Sequence, residues 1–187
     1  MKPGIVLLHG ALSNKDQYVA MYRHLTKNGF KTYEFWYNDI NYYDVKTIAL
    51  RLKEFVSRLK EKKLVFVGIS KGGIIASYAI EYLGLNKRAK SCVTICSPFY
   101  GTYAAYIVKS QNQLTYTSPF LKGLREKIMK SKIKYYNIWN IGDMLVFPPV
   151  SAIMKGNKTK MVFAPWHYTT LRWTTRSYIL KIIEELV

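Results

Sequence analysis

Two cysteines, three histidines and eleven acidic residues are all that this 187-residue chain carries of those types. The cysteines, Cys92 and Cys96, lie four apart on a stretch that reads as a strand. That spacing puts their Cα atoms roughly 13 Å apart, beyond the about 7 Å that a disulfide spans. They are expected to be buried thiols without a role. With so few histidines and cysteines, no group has metal-ligand spacing, and no metal or organic cofactor is implied. Long apolar runs are missing too. No stretch approaches the ~18 residues of a membrane span. The opening Met1–Gly10 has only four consecutive apolar residues, too few for a signal peptide. The expectation is a soluble, cytoplasmic protein, with peripheral contact to a membrane left open.

Acid is the scarcest of the common chemistries. Against 11 Asp and Glu stand 29 Lys and Arg, a net charge of +18. Such an excess attracts nucleic acid, anionic lipid or an acidic partner. The basic residues are spread over 60–63, 87–90, 122–134 and 155–160 and do not form one arm. None of the usual nucleic-acid motifs is present. What is abundant is apolar: 49% of the chain is hydrophobic and 16 residues are tyrosine. That excludes disorder as the main state and allows a sizeable core. The length suits one domain over residues 1–187.

Short apolar runs alternate with helical stretches, which predicts an α/β fold: a mostly parallel sheet of about six strands with helices on both faces. Strands are expected at Ile5–Leu8, Lys31–Tyr37, Leu64–Ile69, Ala89–Ile95, Lys134–Ile141 and Thr159–Phe163. Helices are expected at Asp16–Asn28, Asp44–Lys62, Lys71–Leu83, Pro119–Lys130 and Thr174–Leu186. Apolar residues at three- and four-residue spacing mark the second, among them Val45, Ile48, Leu52 and Val56. Ser118 as N-cap and Pro119 at the first helical position open the fourth. It is amphipathic and basic. It is expected to pack on the sheet with a solvated basic face, the alternative being a membrane-docking element. The whole segment 97–132 is a candidate lid or interfacial insertion.

The informative segment is Gly68-Ile69-Ser70-Lys71-Gly72-Gly73, a G-x-S-x-G motif between a predicted strand and a predicted helix. The glycines remove side chains that would collide with a sharp turn carrying the serine. A serine hydroxyl needs a base, and the base an orienting carboxylate. In this setting the chain order is serine, acid, histidine. After Ser70 the chain has one histidine, His167, and one aspartate, Asp143; the four later glutamates fall in predicted helices. Asp143 and His167 both follow predicted strands, where ligand sites of open α/β sheets lie. Two backbone N–H donors complete such a site: Lys71, after the serine, and Ala11, after the strand ending in His9-Gly10. The Lys71 side chain is expected to reach solvent, and His9 to orient its loop. Phe99, Tyr100, Tyr103, Phe147 and Trp166 are candidate walls of an acyl site.

Val6–Gly10, Gly68–Gly73, Ser97–Thr102, Gly142–Val146 and His167 with its following helix resemble the α/β-hydrolase superfamily. Within it they are similar to small bacterial-type lipases and esterases without a large cap. The resemblance spans residues 4–186. It implies a minimal version of the fold, Ser70, Asp143 and His167 as a triad, and Ala11 and Lys71 as oxyanion donors. The implied activity is that of a serine carboxylic-ester hydrolase working through an acyl-enzyme, on lipid or other small esters. A thioesterase or acyltransferase would use the same triad. A basic binding protein on a hydrolase scaffold, for anionic membrane or, less in keeping with the motifs, nucleic acid, is the alternative.

Overall fold

The computed structural model describes residues 2–11, 16–37, 44–107, 109–171 and 173–186. Six strands form one sheet: β1 (Gly4–Leu8), β2 (Thr32–Phe35), β3 (Leu64–Ile69), β4 (Ala89–Ile95), β5 (Lys134–Asn140) and β6 (Lys158–Val162). The order is β2-β1-β3-β4-β5-β6, and every pairing is parallel. Helices α1 (Asp16–Lys27), α2 (Val45–Ser57), α3 (Lys71–Tyr82), α4 (Ala104–Ile107), α5 (Pro119–Met129) and α6 (Trp173–Glu184) supply the connections and the last element.

The unbroken apolar runs of β1 and β3 are buried along their whole length. That is the signature of strands covered on both faces. Successive residues point to opposite sides. Val6, Leu8 and Phe66 join Leu52 of α2, Ile75 of α3 and Leu124 of α5. Ile5, Leu7, Val65 and Val67 join Leu25 of α1 and Ile182 of α6. Strand order reverses between β1 and β3, so their exits flank the crevice where open α/β sheets bind ligands. No helix among the described residues is long and apolar enough to cross a membrane.

α5 begins as its sequence predicts, with Ser118 Oγ accepting from Leu121 N at 3.3 Å. Its apolar face, Leu121, Leu124 and Ile128, is buried in the core beside α3. That face is therefore already covered. Arg125, on another face, donates to Phe99 O at 2.7 Å and lies over the Tyr100 ring at 4.4 Å.

The main departure from the sequence reading is α2, which ends at Ser57 rather than running to Lys62. Two causes combine. Beyond Leu59 the segment Lys60–Lys63 offers no apolar residue to bury. The Arg88 guanidinium also takes the freed carbonyls, donating to Val56, Leu59 and Glu61. Val56 O also accepts from Leu59 N at 3.1 Å, while Leu59 and Glu61 lie just past the helix end, where free acceptors otherwise turn to water.

In a parallel sheet all strands start at one end. Each of the six is entered through a basic residue: Lys2, Lys31, Lys63, Arg88, Lys134 and Lys158. The opposite end differs. Residues 91–108, 135–154 and 161–171, which hold the exits of β4, β5 and β6, contain no lysine or arginine, and Asp143 is their one acid. Helices that return from exit to entry finish at the basic end, where cations complement their carboxyl termini.

Removing the Arg88 clamp leaves several carbonyls without their charged donor. Arg88→Ala is expected to lower stability by about 2 kcal/mol in urea unfolding. Arg88→Lys is expected to recover less than half, because one ammonium cannot reproduce the guanidinium fork. Full recovery by lysine would show that charge alone matters there.

Candidate active site

Ser70 sits where β3 turns into α3, with φ 52° and ψ −125°. Few residues other than glycine adopt such a backbone, and surroundings must hold it. Ser70 N donates to Ile95 O of β4 at 2.7 Å, and Gly73 N donates to Ser70 O at 3.1 Å. The turn closes so tightly that a Cβ on Gly68 would lie 2.5 Å from Gly73 Cα. A Cβ on Gly72 would lie 2.3 Å from His9 O. The glycines of the motif are thus steric requirements, and α3 starts wedged against the exit of β1.

That wedge also corrects one expectation. Lys71 does not reach solvent; it is 1% exposed. The first turn of α3, Lys71 to Ile74, lies wholly inside the crevice between the β1 and β4 exits, so a side chain there has no route out.

At the β1 exit, His9 accepts on Nε2 from Tyr37 N at 3.1 Å. Its Nδ1 therefore carries the hydrogen and donates to Gly10 O at 2.6 Å. The ring stacks on Tyr37 at 3.9 Å and on Trp36 at 4.6 Å. Tyr37 Oη donates to His9 O and Gly10 N donates to Tyr18 Oη, both at 2.8 Å. Both ring nitrogens being engaged, His9 shapes the loop that presents Ala11. Ala11 is half-buried. Residues 12–15 lie outside the described residues.

The β5 and β6 exits bring Asp143 and His167 together. Asp143 Oδ2 pairs with His167 Nδ1 at 2.7 Å, and Oδ1 accepts from Leu145 N and Val146 N at 2.9 Å each. Both residues are buried. Burial is the largest influence on the Asp143 carboxyl and pushes its pKa up. The hydrogen bond to His167, the imidazole's charge and the Val146 amide outweigh it, and the carboxyl titrates below its ordinary range. Asn140 ties the two exits together. Its Oδ1 accepts from Gly142 N and Ala164 N, and its Nδ2 donates to Ala164 O and Thr170 Oγ1. Sequence reasoning passed over Asn140; its one signal was an amide at a strand end directly before Ile-Gly-Asp.

Cys96 follows β4 with φ 49°. As expected, both thiols are buried and free. Cys96, however, stands against the pair: polar atoms of Cys96, Asp143 and His167 all lie within 4.8 Å of one another. Burial first, then the Asp143 charge, pushes the Cys96 thiol well above its ordinary value, so it stays protonated. Among the described residues this is the one group close enough to share an ion, but both Asp143 oxygens already accept hydrogen bonds. Cys96 directly follows Ile95, whose carbonyl holds Ser70, so the β3, β4, β5 and β6 exits meet here.

Around them lies an apolar rim. Thr102 Oγ1 donates to Leu145 O at 2.7 Å and accepts from Phe147 N at 3.1 Å, stitching the loop after β4 to the loop after β5. Tyr103 packs between Tyr116 and Phe147 at 4.8 and 6.3 Å. Tyr103, Phe147 and Trp166 are all exposed. Phe99 is not a wall residue: it is fully buried in the core. Tyr100 is exposed, with Arg125 over one face of its ring.

Because the folded Asp143 carboxyl titrates below its unfolded value of about 3.9, its contribution to stability is present above that value and lost as pH falls through the folded one. The stability difference between wild type and Asp143→Asn, followed by urea unfolding, is expected to shrink as pH drops below about 4. A difference that keeps growing there would mean that the carboxylate is not held by its neighbours.

Residues 5–144 match the family described as "Putative serine esterase (DUF676)". The matched span includes Ser70 and Asp143 and stops short of His167. The mature form of the lipase BlEst2 from Bacillus licheniformis superposes with a TM-score of 0.78 at 16% identity, over 97% of this chain and 92% of that one. The esterase EaEST from Exiguobacterium antarcticum gives 0.73 at 14% identity, over 97% and 92%. MGS-MChE2, an α/β-hydrolase from a sediment metagenome of the Mar Chica lagoon, gives 0.73 at 18%, over 99% and 90%. At these identities the likeness is one of fold. No curated protein matches the chain. The strand-to-helix serine turn and the six-stranded parallel sheet agree with the family match: the chain belongs to the DUF676 serine esterase family and is an esterase/lipase-type hydrolase on the α/β-hydrolase fold.

Proposed function

We propose that the protein hydrolyses carboxylic esters through Ser70, His167 and Asp143. The observation that carries this reading is the buried 2.7 Å pair between His167 Nδ1 and Asp143 Oδ2, with Oδ1 fixed by two amides. A carboxylate on Nδ1 holds the hydrogen there and leaves Nε2 with its lone pair, the tautomer that a general base needs. Ser70 Oγ attacks the ester carbonyl while His167 Nε2 takes its proton. Negative charge on the carbonyl oxygen is met by the N–H groups of Ala11 and Lys71. Collapse expels the alcohol, which receives the proton from His167. Water, deprotonated by the same nitrogen, then releases the acid and restores Ser70. The imidazolium formed in each half is stabilised by Asp143.

The substrate we favour is an ester with an apolar acyl group, because the rim beside Asp143 and His167 is aromatic. A thioester would be attacked by the same groups. Lysine and arginine are missing from the exits of β4 to β6, so the aromatic rim itself carries no cation that would select an acidic acyl group.

Intact mass after treatment with a fluorophosphonate tests the nucleophile. One adduct is expected on wild type and none on Ser70→Ala. Asp143→Asn is expected to keep its fold at pH 7 and to lower kcat on a soluble ester by about 10⁴-fold, by favouring the wrong tautomer of His167. An adduct persisting on Ser70→Ala, or an Asp143→Asn variant of near wild-type rate, would overturn the assignment.

A further inference from the structure

Four basic stretches lie far apart in sequence: 60–63, 87–90, 122–134 and 155–160. The parallel sheet gathers them. Stretches 60–63 and 87–90 lead into β3 and β4; the ends of 122–134 and 155–160 lead into β5 and β6. All arrive at the end opposite Ser70. Between the end of α5 and the entries of β5 and β6 lies a cleft of about 380 Å³. Lys132, Lys134, Lys155 and Lys158 line it, together with Tyr136 and Asn157. No aspartate or glutamate is among its lining residues.

We propose that this cleft binds a compact polyphosphate group, two or more linked phosphates on a small soluble molecule. Its size is that of a small-ligand site. Lysines bind phosphate as point charges, and four of them match the three to four negative charges of a di- or triphosphate. None of the four has an ion-pair partner among the described residues. Lys158 Nζ is held 5.7 Å over the Tyr136 ring, which fixes one charge at the wall of the cleft. Asn157 lines the cleft, and its Nδ2 is buried with no hydrogen-bond partner among the described residues, a donor that a small side-chain rotation would present to a phosphate oxygen. Helix termini explain some cations at this end, but not four around one acid-free cleft with an unused amide.

A lipid headgroup and a nucleic acid also carry phosphate, and both fit this end less well. Of the large exposed apolar side chains, most cluster at the strand exits; at the cleft only Met129 is exposed. There is little to enter acyl chains and no exposed aromatic face lining the cleft on which bases could stack.

The test is calorimetric titration of the full chain with sodium tripolyphosphate in about 150 mM salt, where diffuse attraction is screened. One site is expected. Lys134→Glu/Lys158→Glu is expected to weaken binding at least about tenfold, and Lys60→Glu/Lys62→Glu, the same charge change at the β3 entry, less than about threefold. Lys132→Ala/Lys155→Ala provides a milder second variant, with urea midpoints checking each fold. Ser70→Ala is expected to bind as wild type does, which separates this site from the hydrolytic one. Absence of binding, several equivalent sites, or equal loss in the two charge-reversal variants would overturn the proposal. So would tighter binding to phosphatidylglycerol vesicles or to a single-stranded oligonucleotide that tripolyphosphate fails to displace.

Discussion

The first turn of α3 is pressed between the exits of β1 and β4 with no space for a Cβ at three glycines, and the catalytic end depends on that fit. The close approach of Gly72 to the His9 carbonyl joins the serine turn to the loop that carries Ala11. It also forces Ser70 into a backbone conformation that costs of order 1–3 kcal/mol. The strain persists because Ile95 O and the α3 backbone hold the turn at both ends. The enclosure of Lys71 follows from the same packing. A longer or looser turn would relax the serine and loosen its contact with the loop after β1.

On the other side the organising element is polar. Asn140 spends both amide groups on the loops after β5 and β6. Asp143 spends both oxygens on amides and imidazole. Buried polar groups that are fully satisfied are rigid, and a partly satisfied set is costly. The protonated Cys96 thiol closes the ring without adding a second negative charge. The site therefore consists of one apolar wedge and one hydrogen-bonded network, meeting at Ile95–Cys96.

The sequence made much of this legible because its strongest signals are local. The boundaries of β3 and β4 and the start of α3 match the expected ones, since a continuous apolar run meeting a Gly-rich turn admits few readings. Asp143 and His167 could be singled out because the chain has so few candidates. Other features arise only in three dimensions. α2 stops early because Arg88, thirty residues on, claims its carbonyls. Lys71 is buried because of where its helix begins, which no property of lysine announces. Phe99 reads as a pocket aromatic and lies in the core. The four basic stretches looked dispersed because their convergence is a property of strand direction, and only the parallel register brings strand entries together.

The basic strand entries, set opposite exits of β4 to β6 that hold no lysine or arginine, have a mechanical consequence. A negatively charged surface finds cations at the strand entries and none along the exits of β4 to β6, so it draws this part of the molecule by its entries and leaves Asp143 and the aromatic rim turned outward. Held on an anionic resin, bead or colloid, it would keep that rim facing open solution. Orientation on such a support is thus built into the direction of the strands.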